Sequence, residues 1–115
     1  MVCMVSLEDR LYHKKVETIF DASRGLVSYA FRDKCGELFF AHLIDKAERF
    51  VEYIIFPINK DEFFKLRFDD IDWKNLLAQK QKRYKYFLSY CSKKKGPLCA
   101  VTDISNDDLS FLLKK

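Results

Sequence analysis

Hydrophobic and polar side chains alternate with a period of two over several short segments in the first half of the chain. This spacing is typical of β-strands, because successive side chains of a strand point to opposite faces of a sheet. The run FVEYIIFPI, at residues 50–58, is also rich in the β-branched and aromatic residues that strands favour. Strands are predicted at residues 16–21, 26–32, 37–43 and 50–58.

Residues 26–32 and 37–43 are predicted to form a hairpin closed by the four residues DKCG, in which Gly36 can take a positive φ. This loop length places one set of side chains on one face: Val27, Tyr29, Phe31, Leu38, Phe40 and His42. The opposite face then carries Leu26, Ala30, Phe39, Ala41 and Leu43. Both sets are largely apolar, whereas an antiparallel sheet usually leaves one face wet. The second face is therefore expected to be covered by a helix, a terminal segment or another chain.

After residue 58 the period changes to that of a helix. Asn59 is placed to cap a helix, and Glu62 lies at the third helical position, from which it can reach back to the cap amide. The phenylalanines of this helix, at positions 63, 64 and 68, predict an aromatic inner face. A second short helix follows, in which Trp73, Leu76 and Leu77 are spaced i, i+3, i+4 like a buried stripe.

The period of two returns near the end of the chain. Residues 84–91 (YKYFLSYC) and 98–104 (LCAVTDI) predict a second hairpin, and Ser105 can cap a short last helix. Together the segments predict an α+β fold: a mainly antiparallel sheet of five or six strands, in the order β-β-β-β-α-α-β-β, with the helical region 60–80 packed on one face. Without repeats or linkers, residues 1–115 are expected to form a single domain.

The composition suits a folded chain without a membrane partner. Hydrophobic residues make up 49% of the 115, enough for a core, and the longest strongly apolar run, residues 51–58, is far shorter than the span of about 20 that a membrane helix needs. No basic segment followed by an apolar one stands near the start, so a cytoplasmic location is expected. The cysteines, Cys3, Cys35, Cys91 and Cys99, are therefore expected as free, mostly buried thiols.

Acidic residues cluster before the second helix, at Asp69, Asp70 and Asp72. Acids there cap helix amides and suit the helix dipole, so capping is the preferred interpretation. Asp72 and Lys74 also match the short D-x-K pattern of metal-dependent nucleases, which remains a remote alternative. His42, on an apolar strand face, is expected at a satisfied core or covering position. Since no catalytic, metal or cofactor motif is recognisable, the chain is predicted to be neither an enzyme nor a cofactor-binding protein.

Charge is unevenly distributed along the chain. Residues 80–95, KQKRYKYFLSYCSKKK, contain seven cations and no acid, although the whole chain carries a formal charge of only +4. The candidate binding residues are Lys80, Lys82, Arg83, Lys85, Tyr86, Tyr90, Lys93, Lys94 and Lys95. Basic groups interleaved with aromatic ones suit an acidic protein surface, and equally suit nucleic acid, where they neutralise phosphates and stack on bases. The third interpretation is a solvated strand whose tyrosines face the core.

The order of segments resembles an uncharacterised family of small bacterial domains over roughly residues 16–79. The similarity lies in GELFF at residues 36–40, YIIFPINKDEFF at residues 53–64 and IDWKNL at residues 71–76. The resemblance implies a strand-first α+β fold and a bacterial or phage origin, and it implies no activity. The function predicted is a small non-enzymatic binding or regulatory module, such as an accessory, inhibitor or antitoxin-like protein, with a protein partner or as a homodimer. Nucleic-acid binding by residues 80–95 is the main alternative.

Overall fold

The computed structural model of the chain describes residues 7–12, 14–21, 27–68, 70–89 and 98–113. Six antiparallel strands form one sheet, in which each strand pairs with the next one along the chain. The strands are β1 (Lys15–Asp21), β2 (Ser28–Arg32), β3 (Leu38–Ala47), β4 (Phe50–Pro57), β5 (Tyr84–Ser89) and β6 (Leu98–Asp103). The helices are α1 (Leu7–Tyr12), α2 (Lys60–Arg67), α3 (Trp73–Gln79) and α4 (Asn106–Leu113). The predicted α+β fold and its order of elements are confirmed, and α1 is an element that the pattern does not predict.

The sheet carries a hydrophobic core on each face. On face A, which bears Phe40 and Ile54, the sheet packs against α2, α3 and α4. On face B, which bears Tyr29 and Ile55, it packs against Leu11 of α1. The helical region 60–80 therefore covers one face as predicted. The expected cover of the second face is a helix, a terminal segment or another chain. Among the described residues, it is α1, near the start of the chain, that covers it.

The predicted register of the first hairpin is wrong by one residue. Arg32 pairs with Leu38, so that Phe31 lies opposite Phe39 rather than on the other side of the sheet from it. The residues that share face B are Tyr29, Phe31, Phe39 and Ala41, and those that share face A are Ser28, Ala30, Leu38, Phe40 and His42. The prediction that Leu38, Phe40 and His42 share a face with Tyr29 and Phe31 is therefore wrong.

The side chain of Asp33 explains the shift. Its Oδ1 atom accepts hydrogen bonds from the backbone N–H groups of Cys35 at 2.9 Å and Glu37 at 2.8 Å, and its own N–H donates to the Glu37 carbonyl at 3.0 Å. Strand pairing thus continues one residue further than predicted and leaves a three-residue loop. Such loops need one residue with positive φ, and Gly36 provides it at 85°.

Helix α1 is fixed to the sheet by charged contacts rather than by a long apolar stripe. Arg10 Nε donates to Asp33 Oδ2 at 2.7 Å, and its Nη2 atom contacts the same oxygen and Glu37 Oε2, the latter at 3.1 Å. Just beyond the helix, Lys14 Nζ donates to the Tyr86 hydroxyl at 3.3 Å. These contacts join α1 to the first hairpin and to β5.

The predicted caps of α2 and α3 are confirmed. The Asn59 side chain accepts from the Glu62 backbone N–H at 2.8 Å, and the Glu62 carboxylate accepts from the Asn59 N–H at 3.0 Å, which is a complete capping box. The Asp72 carboxylate accepts from the Lys74 N–H at 3.1 Å and caps α3. The caps define where α2 begins after β4 and where α3 begins after the acidic segment.

Cys35 corrects the expectation for the cysteines. It lies exposed in the loop after β2 and is disulfide-bonded, so it is not a free, buried thiol. The loop carries this residue out of the core, where it cannot pack as a small hydrophobic side chain, and exposure makes its sulfur accessible to oxidation. Cys3 and Cys91 lie outside the described residues.

Candidate functional site

The predicted basic segment runs from the end of α3 along β5 and beyond it. The structure describes five of its predicted binding residues: Lys80, Lys82, Arg83, Lys85 and Tyr86. Tyr90, Lys93, Lys94 and Lys95 lie outside the described residues. The described part of the segment, residues 80–89, extends from the end of α3 through the whole of β5.

Three cations in this described part of the segment make contacts within the protein. Lys80 Nζ lies 2.7 Å from Glu62 Oε1, and the two side chains are only 21% and 17% exposed. Lys85 Nζ lies 3.4 Å from Asp108 Oδ1, and Arg83 Nη1 donates to the Lys80 carbonyl at 2.7 Å. These contacts join the end of α3 to α2, and β5 to α4. Two of the four positive charges described here, those of Lys80 and Lys85, are thus paired with acids inside the molecule.

Tyr86 and Lys82 differ in what they offer to a ligand. Tyr86 is 2% exposed, and Lys14 Nζ lies 4.9 Å from its ring centroid, so this ring is in the core and is not available for stacking on a base. Lys82 is exposed just before β5. Binding by Lys82 and by the tip of the hairpin stays a prediction.

Two further findings concern the part of the chain that the structure describes. Among its histidine, cysteine, aspartate and glutamate residues, no three gather where they could hold a metal ion. None of its helices combines the length and the apolar character needed to cross a membrane.

A groove lies between the β1–β2 edge of the sheet and helix α2. Its volume is about 250 Å³, and its lining residues are Glu17, Arg32, Leu38, Lys60, Phe63 and Phe64. Leu38 and Phe63 belong to the apolar surroundings of face A. Glu17 and Arg32 face each other across β1 and β2 at 3.5 Å and form a charged rim. The groove thus has an apolar floor and a polar margin, as many peptide-binding pockets do.

The outer side of α2 continues the groove as an apolar surface. Phe64 is 51% exposed and Phe68 is 67% exposed, and residues four apart lie on the same side of a helix. Phe63 points inward, with its ring centroid 6.0 Å from that of Phe20, and Phe64 packs edge-on against Phe63 at 5.5 Å. The predicted aromatic inner face is therefore wrong for two of its three members, because Phe63 and Leu66 occupy the buried side of the helix.

The charges around this surface are not balanced. Lys65 Nζ pairs with Asp61 Oδ2 at 3.1 Å along the helix, in an exposed contact. Lys60, at the groove, and Arg67 form no ion pair in the described part of the chain. Arg67 instead lies with its guanidinium carbon 5.8 Å from the Phe68 ring centroid. The result is an exposed aromatic pair flanked by two uncompensated cations.

Strand β1 stands at an edge of the sheet as described. Its pairing with β2 is interrupted between Val16 and Thr18 and again between Ile19 and Asp21, where one residue is inserted each time. Bulges of this kind bend an edge strand and disfavour pairing with another strand. A ligand in the neighbouring groove is thus expected to bind through side chains rather than by extending the sheet.

A second polar cluster lies on face A, around His42. The Ser28 hydroxyl oxygen lies 2.6 Å from His42 Nδ1, and the His42 ring stacks on Trp73 with centroids 4.3 Å apart. Burial lowers the pKa of His42; the nearby Lys74 also lowers it, whereas Asp21 raises it. The expected covering position of His42 is confirmed, and the pair with Ser28 is a contact that the sequence pattern does not reveal.

Neither the exposed phenylalanines of α2 nor the Ser28–His42 pair is among the binding residues predicted from sequence. A helical projection offers a signal for the first, since Phe68 lies about 160° around the helix from Leu66 at 100° per residue. No such signal exists for the second, because Ser28 of β2 and His42 of β3 come together only in the observed register of the hairpin. When compared with protein families, curated proteins and solved structures, the chain finds no match among them.

Proposed function

We propose that the protein is a small non-enzymatic binding module that holds a partner protein against the outer side of helix α2. The observation that carries this proposal is the exposure of Phe64 and Phe68 beside the groove. Aromatic side chains are enriched at the centres of protein interfaces, where a few of them supply most of the binding energy. Phe64 of α2 and Phe68, the residue that caps the end of this helix, are each more than half exposed and are not part of the buried core.

The charges of the surface favour an acidic partner segment. Lys60 and Arg67 lie beside the aromatic pair and form no ion pair among the described residues, so a ligand carboxylate near either one gains a favourable interaction. The groove itself, at about 250 Å³, accommodates one large apolar side chain. The partner is therefore a protein segment with an aromatic or branched aliphatic residue flanked by aspartate or glutamate.

A different protein fits this surface better than a second copy of the chain. In a two-fold pairing the same patch meets itself, which would bring the unpaired cations Lys60 and Arg67 of the two copies close to each other. The bulged edge of β1 also disfavours a continuous sheet between two copies. These features favour a hetero-partner, as in the accessory, inhibitor or antitoxin-like roles expected from the sequence.

Photo-crosslinking tests the proposal. A benzoyl-phenylalanine placed at position 64 should crosslink to an acidic protein in the native cell. The matched control carries the same group at Phe111 of α4, which is 64% exposed and so presents a comparable aromatic side chain elsewhere. Crosslinks to the same proteins from both positions, or only to further copies of the chain from position 64, would contradict the proposal.

Affinity measurements with the captured partner then separate the apolar and charged contributions. Phe64→Ala and Phe68→Ala should each weaken binding about tenfold, and Lys60→Glu should weaken it most at low salt, because the repulsion that it introduces is least screened there. Phe111→Ala and Arg49→Glu, at an exposed arginine between β3 and β4, serve as controls and should leave the affinity within about twofold. Equal losses for the control and test variants would show that α2 is not the binding surface.

A further inference from the structure

A second cavity, of about 290 Å³, opens on face A beside His42. It is lined by His42, Leu43, Ile44, Ile54, Trp73, Lys74 and Leu112, which come from β3, β4, α3 and α4. It shares none of these residues with the groove at α2. Its walls are mainly aliphatic, and its polar side chains are a histidine and a lysine. An aliphatic cavity with two basic groups suits an amphipathic anion.

His42 presents one unused hydrogen-bonding atom. Its Nδ1 atom is occupied by the hydroxyl of Ser28, which is itself only 8% exposed, and stacking on Trp73 fixes the plane of the ring. Nε2 makes no hydrogen bond in the described part of the chain. Every buried side-chain nitrogen or oxygen atom in that part has a hydrogen-bond partner, so Nε2 is not one of the buried atoms and is accessible from outside the protein. When the Ser28 hydroxyl donates to Nδ1, the neutral ring carries its proton on Nε2 and can donate it.

Lys74 supplies the charge. It lines the cavity, and its Nζ atom lies 5.9 Å from the centroid of the Trp73 ring on which His42 stacks, so the ammonium group and the imidazole both lie close to this indole. An ammonium group has three N–H donors, so contacts with protein atoms leave it able to donate to a ligand as well. One anionic group placed between Nε2 and Nζ would accept from both.

We infer that this cavity binds a small carboxylic acid with an apolar body: the carboxylate accepts from His42 Nε2 and Lys74 Nζ, and the body lies against Ile54 and Leu112. The volume supports this size, since an apolar cavity of about 150 Å³ holds benzene and a 290 Å³ cavity holds a ring with a short acid chain. A neutral hydrocarbon of the same shape would strip water from Nε2 without replacing its hydrogen bond. A small inorganic anion would leave the aliphatic walls unfilled.

Trp73 provides the readout, because it is the only tryptophan of the chain and lines the cavity. The probes are phenylacetate and its neutral counterpart phenylacetamide, titrated into the intact protein while the Trp73 emission is followed. Phenylacetate should change the emission saturably and bind at least about tenfold more tightly than phenylacetamide, because only the acid is charged. Equal affinities for the two probes, or no saturable change up to millimolar phenylacetate, would overturn the inference.

Three variants identify the residues responsible. Lys74→Met keeps the length of the side chain, and His42→Phe keeps a ring against Trp73; each should reduce phenylacetate affinity at least about fivefold without changing that for phenylacetamide. Arg49→Met, at an exposed arginine outside the cavity, is the control and should leave both affinities unchanged. If His42→Phe unfolds the protein, Lys74→Met alone decides, and an unchanged preference for the acid in that variant refutes the site.

Discussion

Replacing Arg10 with alanine tests how α1 is held on the sheet. The Asp33 side chain is 0% exposed, and its Oδ2 atom accepts from two nitrogens of Arg10. In Arg10→Ala this oxygen loses both donors, whereas Oδ1 keeps the backbone N–H groups of Cys35 and Glu37. The carboxylate would remain in the interior with half of its hydrogen bonds.

The size of the effect follows from that half-satisfied state. Removing one partner of a fully buried ion pair costs about 3–5 kcal/mol, because the remaining charge is uncompensated. Here the Arg10 side chain is 18% exposed, so water can reach part of the vacated space, and two hydrogen bonds to Asp33 persist. The free energy of unfolding should therefore fall by about 2–3 kcal/mol. Since domains of this size unfold with about 5–15 kcal/mol, the variant should fold but be clearly weakened.

Urea denaturation followed by circular dichroism measures this loss. With a slope of about 1.5 kcal/mol/M, the midpoint should fall by roughly 1.3–2 M. Arg49→Ala, at an exposed arginine between β3 and β4, is the control and should stay within about 0.5 kcal/mol of the parent protein. Adding Asp33→Asn to Arg10→Ala should recover part of the loss, because it removes the buried charge. A midpoint for Arg10→Ala equal to that of Arg49→Ala would refute the reasoning.

Three further predictions concern stability and binding. Burial lowers the pKa of His42 below its usual 6.5, so the unfolded chain binds a proton that the folded chain excludes; the free energy of unfolding should be highest above pH 6.5 and decrease below it. Thermal melts of His42→Phe across this range should lack that decrease. Asn59→Ala removes an acceptor from the capping box and should cost about 1 kcal/mol in urea melts, whereas an unchanged midpoint would mean that the box adds no stability. If the lysines at positions 93–95 bind single-stranded nucleic acid, affinity should fall with salt at a log–log slope of about −0.7 per phosphate contact and disappear when all three become Glu; binding that survives would lie elsewhere.

Local rules of sequence account for most of the architecture. Alternation identifies the strands, and the Asn59–Glu62 and Asp72 caps identify where two helices begin. The rules fail where a single side chain competes with them. Asp33 uses its carboxylate to extend the strand pairing, which shifts the hairpin by one residue, and α1 is only six residues long, too short for a helical period to stand out.

The candidate sites are less predictable, because they depend on residues distant along the chain. The sequence indicates that Lys80 belongs to a basic segment. In the structure, its ammonium group lies against Glu62, which precedes it by 18 positions and belongs to another helix. The Ser28–His42 contact needs the correct register, and the stacking of His42 on Trp73 needs the packing of α3 on the sheet. Composition identifies a charged or aromatic residue, whereas only the tertiary structure decides whether its partner is internal.

The nearest-neighbour order of the sheet has a consequence for how the chain folds. Each strand pairs with the next one along the chain, and, except between β4 and β5, which α2 and α3 separate, the connections are short and close with a small loss of loop entropy. Helix α1 differs, because it lies against β6, and Lys14, just after it, reaches Tyr86 across 72 positions. During synthesis α1 is made before the sheet but can dock only after β5 and β6 have emerged. During that interval α1 does not yet cover the apolar side chains of face B. A chaperone could bind the nascent sheet there.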